Sequence, residues 1–245
     1  MSDADRALAD LGIAADVLPA SAYESLERQG FVALPGVVDE PWLTGIRNRL
    51  DELYRDEHEH THGADVLTDL VNRGEVFERM LREPRVLAAA RHVLGDFKVN
   101  SLNARSSRPG DGAQHLHSDC GPPRADGTFK ICNSIWLIDD FTDRNGATRA
   151  VPGTHRERRQ PTDAMDDVFA AHPDEVLLTG VAGTVIVFNG HLWHGGTCNR
   201  AGSHRRGLTL SFCRRDEAQQ LNQAQHIRPA VRDRLSPAER YLLDV

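Results

Sequence analysis

Apolar residues recur at helical spacing through much of the first 95 residues and at strand spacing after that. Ser21 to Gln29 reads as a short amphipathic helix ended by Gly30, and Phe31-Val32-Ala33-Leu34 as a strand closed by Pro35-Gly36. Asp39 is placed to cap a helix with Pro41 in its first turn, running to about Arg55, in which Leu43, Ile46, Leu50 and Leu53 repeat every three or four residues. Two more helices are expected near Glu75–Arg82 and Arg85–Leu94, separated by Pro84 and stopped by Gly95.

From Phe97 the pattern shortens. Candidate strands are Phe97–Ser106, Gln114–Asp119, Lys130–Asp139, Thr148–Val151, Glu175–Leu178, Thr184–Asn189 and Arg205–Arg214, with turn dipeptides at Asn145-Gly146 and Pro152-Gly153. Short strands with regular turn signals predict a mainly β fold with flanking helices, its core a jelly roll of the double-stranded β-helix, cupin-like kind. The segment from Glu217 reads as helical again, with Ser236-Pro237-Ala238-Glu239 as a capping box. The expected organisation is one domain over 1–245: a mostly helical part to residue 95, a β core over 97–215 and a helical tail over 216–245.

Composition narrows the function classes. The 245 residues carry a formal charge of −7 and only two lysines, Lys98 and Lys130, which argues against nucleic-acid binding. No apolar run is long enough to span a bilayer, and the N-terminus lacks the pattern of a signal peptide. Cys120, Cys132, Cys198 and Cys213 show no C-x-x-C spacing and read as reduced thiols. The expectation is a cytoplasmic protein, monomeric or homodimeric, acting on a small molecule.

The chemistry concentrates in Gln114-His115-Leu116-His117-Ser118-Asp119 and, later, His191-Leu192-Trp193-His194. On a strand, alternate side chains share a face, so His117 and Asp119 point the same way. One more histidine completes two nitrogens and one oxygen, the set that leaves a metal with open positions in non-haem Fe(II) oxygenases. His115 shares that face, so a cupin-type site of His115, His117 and His194 competes. His191 rivals His194, because the turn at Asn189-Gly190 can break the register. Arg205 and Arg206 point to opposite faces of the last strand, and one of them can grip a carboxylate with two hydrogen bonds. His58, His60 and His62 alternate in an acidic stretch that reads as a solvated linker, and His155-Arg156-Glu157-Arg158-Arg159 as a charged surface loop.

The order of these motifs resembles the phytanoyl-CoA dioxygenase (PhyH) family of Fe(II)/2-oxoglutarate oxygenases. The resemblance spans roughly residues 20–215. It rests on Gly30-Phe31-Val32 with Leu34-Pro35-Gly36, on Asn145-Gly146-Ala147-Thr148-Arg149, on Pro152-Gly153-Thr154-His155 with Thr154 for the usual serine, and on His194-Gly195-Gly196 followed by Arg205 eleven positions after the histidine. It implies iron on His117, Asp119 and His194, with 2-oxoglutarate anchored by Arg205 and O2 as the oxidant. It selects His194 over His191 and Arg205 over Arg206, and leaves His115 beside the metal ligands. The family often has a serine near the distal histidine; Gly196 departs from that, and Asn103 and Asn133 are the candidate polar contacts in its place. The implied reaction oxidises a substrate C–H bond, by hydroxylation, desaturation or ring closure, and releases succinate and CO2. Loops Gly121–Phe129 and Arg156–Pro173 and the tail after Glu217 are expected to shape the substrate pocket. An Arg-rich, Lys-poor chain fits a tailoring enzyme of bacterial secondary metabolism, such as antibiotic biosynthesis.

Overall fold

The computed structural model describes residues 3–14, 16–57, 59–61 and 63–245. The described strands are β1 (Phe31–Leu34), β2 (Glu59–Thr61), β3 (Ala64–Leu67), β4 (Phe97–Ser107), β5 (Ile131–Leu137), β6 (Thr148–Val151), β7 (Val176–Leu178), β8 (Val185–Asn189), β9 (Trp193–Gly196) and β10 (Arg205–Arg214). They form a seven-stranded sheet in the order β1-β8-β5-β10-β4-β3-β2 and a three-stranded sheet in the order β7-β6-β9. All the pairings are antiparallel. The jelly roll and its flanking helices are as expected from the sequence.

Alternation decides what each face of the large sheet does. One face presents Leu102 and Ala104 of β4, Cys132 and Trp136 of β5, Val185 and Val187 of β8, and Leu208, Leu210 and Phe212 of β10. It packs against the helices Glu40–Asp56 and Pro84–Leu94 through Trp42, Ile46, Leu50, Val86 and Leu87. Trp42 meets Trp136 edge to face at 5.6 Å. The long helix starts as expected, the Asp39 carboxylate accepting from the Trp42 N–H at 2.9 Å. The other face presents Ser101, Asn103, Arg105 and Ser107 of β4, Asn133 and Ile135 of β5, and Arg205, Gly207, Thr209 and Ser211 of β10. These line a cavity of about 580 Å³ between the two sheets. The principal apolar core thus lies outside the β-sandwich; between the sheets a smaller apolar cluster of Leu137, Ala150, Leu178, Ile186, Phe188 and Leu192 packs beside the cavity. At Asn100 the β4–β10 register slips by one residue. This bulge turns Asn100 into the cavity beside Ser101, where its amide donates to Ser211 Oγ at 3.1 Å.

Three expectations are corrected. Gln114–Asp119 is not a regular strand. It makes an isolated bridge between His117 and His194, and Gln114 N–H also reaches Gly196 O on β9, but Leu116 N–H turns to Val168 O and Asp119 N–H to Gly190 O. The acidic histidine stretch is not a linker. His60 lies on β2 with Nδ1 3.0 Å from Asp65 and Nε2 2.9 Å from Asp111, while His58 and His62 lie outside the described residues. His155 is not a surface residue. It is 1% exposed, Nε2 lies 3.2 Å from Glu27 O, and burial pulls its pKa down to about 4. Its ring fills the space over Gly30 (φ +86°), where a Cβ would come within 2.5 Å of Nδ1. The Gly30 and Pro152-Gly153-Thr154-His155 motifs are therefore two halves of one contact. Strands β2, β3 and β9 and the helix Asp3–Asp10 are short or carry weak periodicity and were not expected. Among the described residues no helix is long and apolar enough to cross a membrane.

Candidate metal centre and cosubstrate cavity

His117 and His194 face each other across two reciprocal backbone hydrogen bonds of 2.9 Å, so both side chains leave on the same side, with ring centroids 4.5 Å apart. Each imidazole is turned by the carbonyl two residues before it. His117 Nδ1 lies 2.9 Å from His115 O, and His194 Nδ1 lies 2.8 Å from Leu192 O. A carbonyl can only accept, so each Nδ1 carries the proton and each Nε2 offers a lone pair. Those Nε2 atoms lie 3.7 and 3.6 Å from the two oxygens of Asp119. Asp119 is held in turn by its N–H to Gly190 O at 2.8 Å and by the Asn133 amide, which donates to Oδ2 at 2.5 Å.

His117, Asp119 and His194 thus present one ligand atom each, all within 4.8 Å of one another. Burial, aided by the neighbouring His194, brings the pKa of His117 to about 4, which keeps its imidazole neutral as ligation requires. Two imidazole nitrogens and one carboxylate, open to a cavity on one side, fit Fe(II).

The other sequence candidates sort themselves around this cluster. The His115 ring is not part of it: it turns outward, 5.7 Å from Phe169, and what His115 contributes is the carbonyl that orients His117. The three-histidine alternative therefore lacks its third nitrogen. His191 is buried elsewhere. Its Nε2 accepts from Lys130 N at 3.0 Å and its Nδ1 lies 2.7 Å from Gly121 O, so it ties together the two ends of the 121–130 loop.

Arg205 faces the cavity, stacked 4.1 Å over the Phe141 ring, with Nη2 donating to Gly146 O at 2.6 Å. The Asn145-Gly146 turn is thus a brace for this guanidinium. Arg206 points the other way, into a two-pronged pair with Asp139 (3.0 and 2.9 Å) and a contact to Asp51. Asn103 lines the cavity and accepts weakly from Asp69 N–H at 3.4 Å, while Asn133 lines it and steadies Asp119. Gly196 has its own reason to lack a side chain: a Cβ there would stand 2.4 Å from Gly112 O.

Three contributors escaped the sequence reading. Arg105 lines the cavity, and the period-two pattern from Asn103 was the signal that could have found it. Gln114 Oε1 accepts from Gly196 N–H at 3.0 Å. Arg149, buried, donates to the carbonyls of Gln114, Val168 and Ala170 and so holds the 165–175 loop against the metal-side segment. Of the loops expected to shape the pocket, the tail does so through Ala218, Gln219 and Gln220. Phe169, 65% exposed, stands at an adjoining opening with His115. Gly121–Phe129 does not line the cavity; Arg124 fastens it to Asp216 and Glu217.

The family model described as phytanoyl-CoA dioxygenase (PhyH) matches residues 26–207. The dioxygenase FrzG of Cladobotryum sp. is 28% identical, the alignment covering 88% of this chain and 82% of that protein. The dioxygenase trt7 of Aspergillus terreus is 30% identical, over 80% of this chain and 73% of that protein. Among solved structures, HygX from Streptomyces hygroscopicus with nickel, 2-oxoglutarate and hygromycin B bound superposes with a TM-score of 0.67 at 17% identity, covering 82% of this chain and 90% of HygX. That likeness is one of fold.

Proposed function

The chain belongs to the phytanoyl-CoA dioxygenase family, and we propose that it works as a 2-oxoglutarate-dependent dioxygenase on a small-molecule intermediate of bacterial secondary metabolism. The observation that carries the reading is the meeting of two halves in one cavity: the His117, Asp119 and His194 ligand atoms, and the braced Arg205 guanidinium. Fe(II) would be held by those three side chains and, with 2-oxoglutarate and O2, supplies the oxidising power for C–H cleavage, with succinate and CO2 as coproducts.

The rest is the chain's own work. Arg205 binds the 5-carboxylate of 2-oxoglutarate. Its planar fork suits two carboxylate oxygens, and the Gly146 carbonyl and the Phe141 ring fix its orientation before the ligand arrives. Asn133 keeps the Asp119 carboxylate aimed between the two imidazoles. The His115 and Leu192 carbonyls hold the Nδ1 side of His117 and His194, so each Nε2 is turned toward the metal position.

For the substrate, amides and hydroxyls of Asn100, Ser101, Asn103, Ser211, Gln219 and Gln220 crowd the same cavity. They match a scaffold bearing hydroxyl groups, such as a glycosylated or terpenoid natural product. HygX, which shares the fold, has hygromycin B bound together with nickel and 2-oxoglutarate. The test is a screen of such compounds for stimulated succinate release by the purified Fe(II) protein. Stimulation that is lost in Asp119→Ala supports the reading. Turnover that survives Asp119→Ala refutes the ligand assignment. Housekeeping genes around the coding sequence would count against secondary metabolism.

A further inference from the structure

Phe169 is 65% exposed, yet the backbone around it is tied down. Its N–H donates to Asp167 Oδ1 at 2.8 Å. The carbonyl of Val168 before it accepts from Leu116 N–H at 2.8 Å and from Arg149 Nη2 at 3.0 Å. The carbonyl of Ala170 after it accepts from Arg149 Nη1 at 2.8 Å. Arg149 is buried and also donates to Gln114 O at 3.2 Å. Gln114 and Leu116 belong to the strip that carries His117, so these bonds fix Phe169 relative to a metal ligand. A single apolar side chain in water is ordinary; a phenyl ring held out into water by a buried guanidinium is a built feature.

The ring stands 5.7 Å from that of His115, edge to face, at an opening of about 430 Å³. Arg105, Gln114 and His117 line both this opening and the inner cavity, so the two spaces adjoin at a metal ligand. The residues that line the opening alone are Ala113, His115 and Phe169, which offer a methyl group, an imidazole and a phenyl ring. The inner cavity offers the amides and hydroxyls of Asn100, Ser101 and Gln220. Spaces of this size suit small molecules, and a molecule that spans the two lies against His117.

We propose that Phe169 and His115 form an aromatic platform that selects substrates carrying a flat apolar ring system joined to a hydroxylated portion. This rests on the dioxygenase reading above, and it narrows the substrate from any hydroxyl-bearing scaffold to an amphipathic one, such as an aryl or polycyclic glycoside. The ring system stacks on Phe169 at the opening, and the hydroxylated portion reaches the inner amides. Stacking takes the exposed face of the phenyl ring out of water, which favours a flat apolar partner over a sugar alone. Because Arg149 fixes the platform against the strip that carries His117, the same contact sets which carbon of the substrate faces the metal position.

The experiment is a fluorescence titration of the anaerobic protein, loaded with Fe(II) and 2-oxoglutarate, with 4-methylumbelliferyl β-D-glucoside, which joins a flat bicyclic ring to a sugar. Methyl β-D-glucoside, which has the sugar without the ring, is measured by displacement of that probe. The native chain should bind the aryl glucoside the more tightly of the two. Phe169→Ala should raise the aryl glucoside Kd about 3- to 10-fold, the effect of one lost aromatic contact, and leave the methyl glucoside Kd unchanged. Phe169→Trp, which keeps a ring, should bind the aryl glucoside like the native chain. The 2-oxoglutarate Kd by calorimetry and the melting temperature should match the native values in both variants, which a role in holding the fold would not allow. A native chain that does not bind the aryl glucoside overturns the inference, as does an unchanged Kd in Phe169→Ala or an equal loss for both glucosides. So does a dimer in sedimentation equilibrium that Phe169→Ala splits, since a second copy would then cover the ring. If the Fe(II) protein binds no 2-oxoglutarate, the dioxygenase reading itself falls; if it binds 2-oxoglutarate but Phe169→Ala changes nothing, the inference alone falls.

Discussion

Replacing Gly196 by serine should damage this protein. Gly196 lies two positions after His194 on β9, and the strip Gly112–His117 lies flat against it. A Cβ at 196 would stand 2.4 Å from Gly112 O and 3.1 Å from Gln114 Oε1. To reach even a tight ordinary approach of 3.0–3.4 Å, the carbonyl must withdraw by about 0.6–1 Å. It has little room to do so. Gly112 sits at φ +97°, with Ser107 Oγ 2.3 Å from where its own Cβ would be, and Gln114 N–H is tied back to Gly196 O at 2.9 Å. Overpacking of this kind costs about 1–3 kcal/mol, and losing the Gly196–Gln114 side-chain bond about 0.5–1.5 kcal/mol more. For a chain of this size each kcal/mol lowers the melting temperature by about 2–4 °C, so Gly196→Ser should melt roughly 3–18 °C below the native protein. Because the displaced strip carries His117, Fe(II) affinity should fall as well. Differential scanning calorimetry and an Fe(II) titration measure the two effects. Gly202→Ser is the control, since nothing lies within 4 Å of a Cβ there. A Gly196→Ser protein that melts with the control and binds iron normally would refute the steric argument.

Arg205→Ala should raise the KM for 2-oxoglutarate at least about tenfold through loss of its charge-assisted bonds, whereas Arg206→Ala, whose side chain faces Asp139 and Asp51, should change stability and leave that KM alone; steady-state kinetics of the two variants decides. Asn133→Leu removes the donor to Asp119, and a Fe(II) affinity about 10- to 100-fold weaker by titration is expected; an unchanged affinity would mean that Asp119 is oriented without it. His155, buried with a pKa of about 4 against about 6.5 when unfolded, takes up a proton more readily in the unfolded chain. Its stabilising contribution is therefore complete above about pH 6.5 and is lost as the pH falls toward 4, by up to about 3 kcal/mol. Urea unfolding at pH 7 and pH 4.5 should show a smaller pH loss for His155→Leu than for the native chain, and equal losses would rule the residue out as the source.

What the sequence determined by itself is whatever depends on short-range order. The period of the apolar residues placed the helices at Ala20–Arg28, Glu40–Asp56 and Pro84–Leu94 and the strands β4, β5 and β10 to within a residue or two, because backbone geometry imposes those periods locally. Alternation along β10 also separated Arg205 from Arg206 onto opposite faces, and the structure gives those faces to the cavity and to Asp139. It could not choose between the faces, nor between His115 and Asp119, nor between His191 and His194, since each choice depends on what lies across a fold boundary. The reciprocal bridge joins His117 to His194, seventy-seven positions apart in the chain, and the carbonyls of His115 and Leu192 aim the two rings. His155 reads as surface charge because nothing local marks the space over Gly30 that its ring fills. Nothing local marks Arg105 as a cavity residue, because the cavity exists only when β4 and β10 pair and face the second sheet. Non-local pairing is where the site is made, and no pattern confined to one segment encodes it.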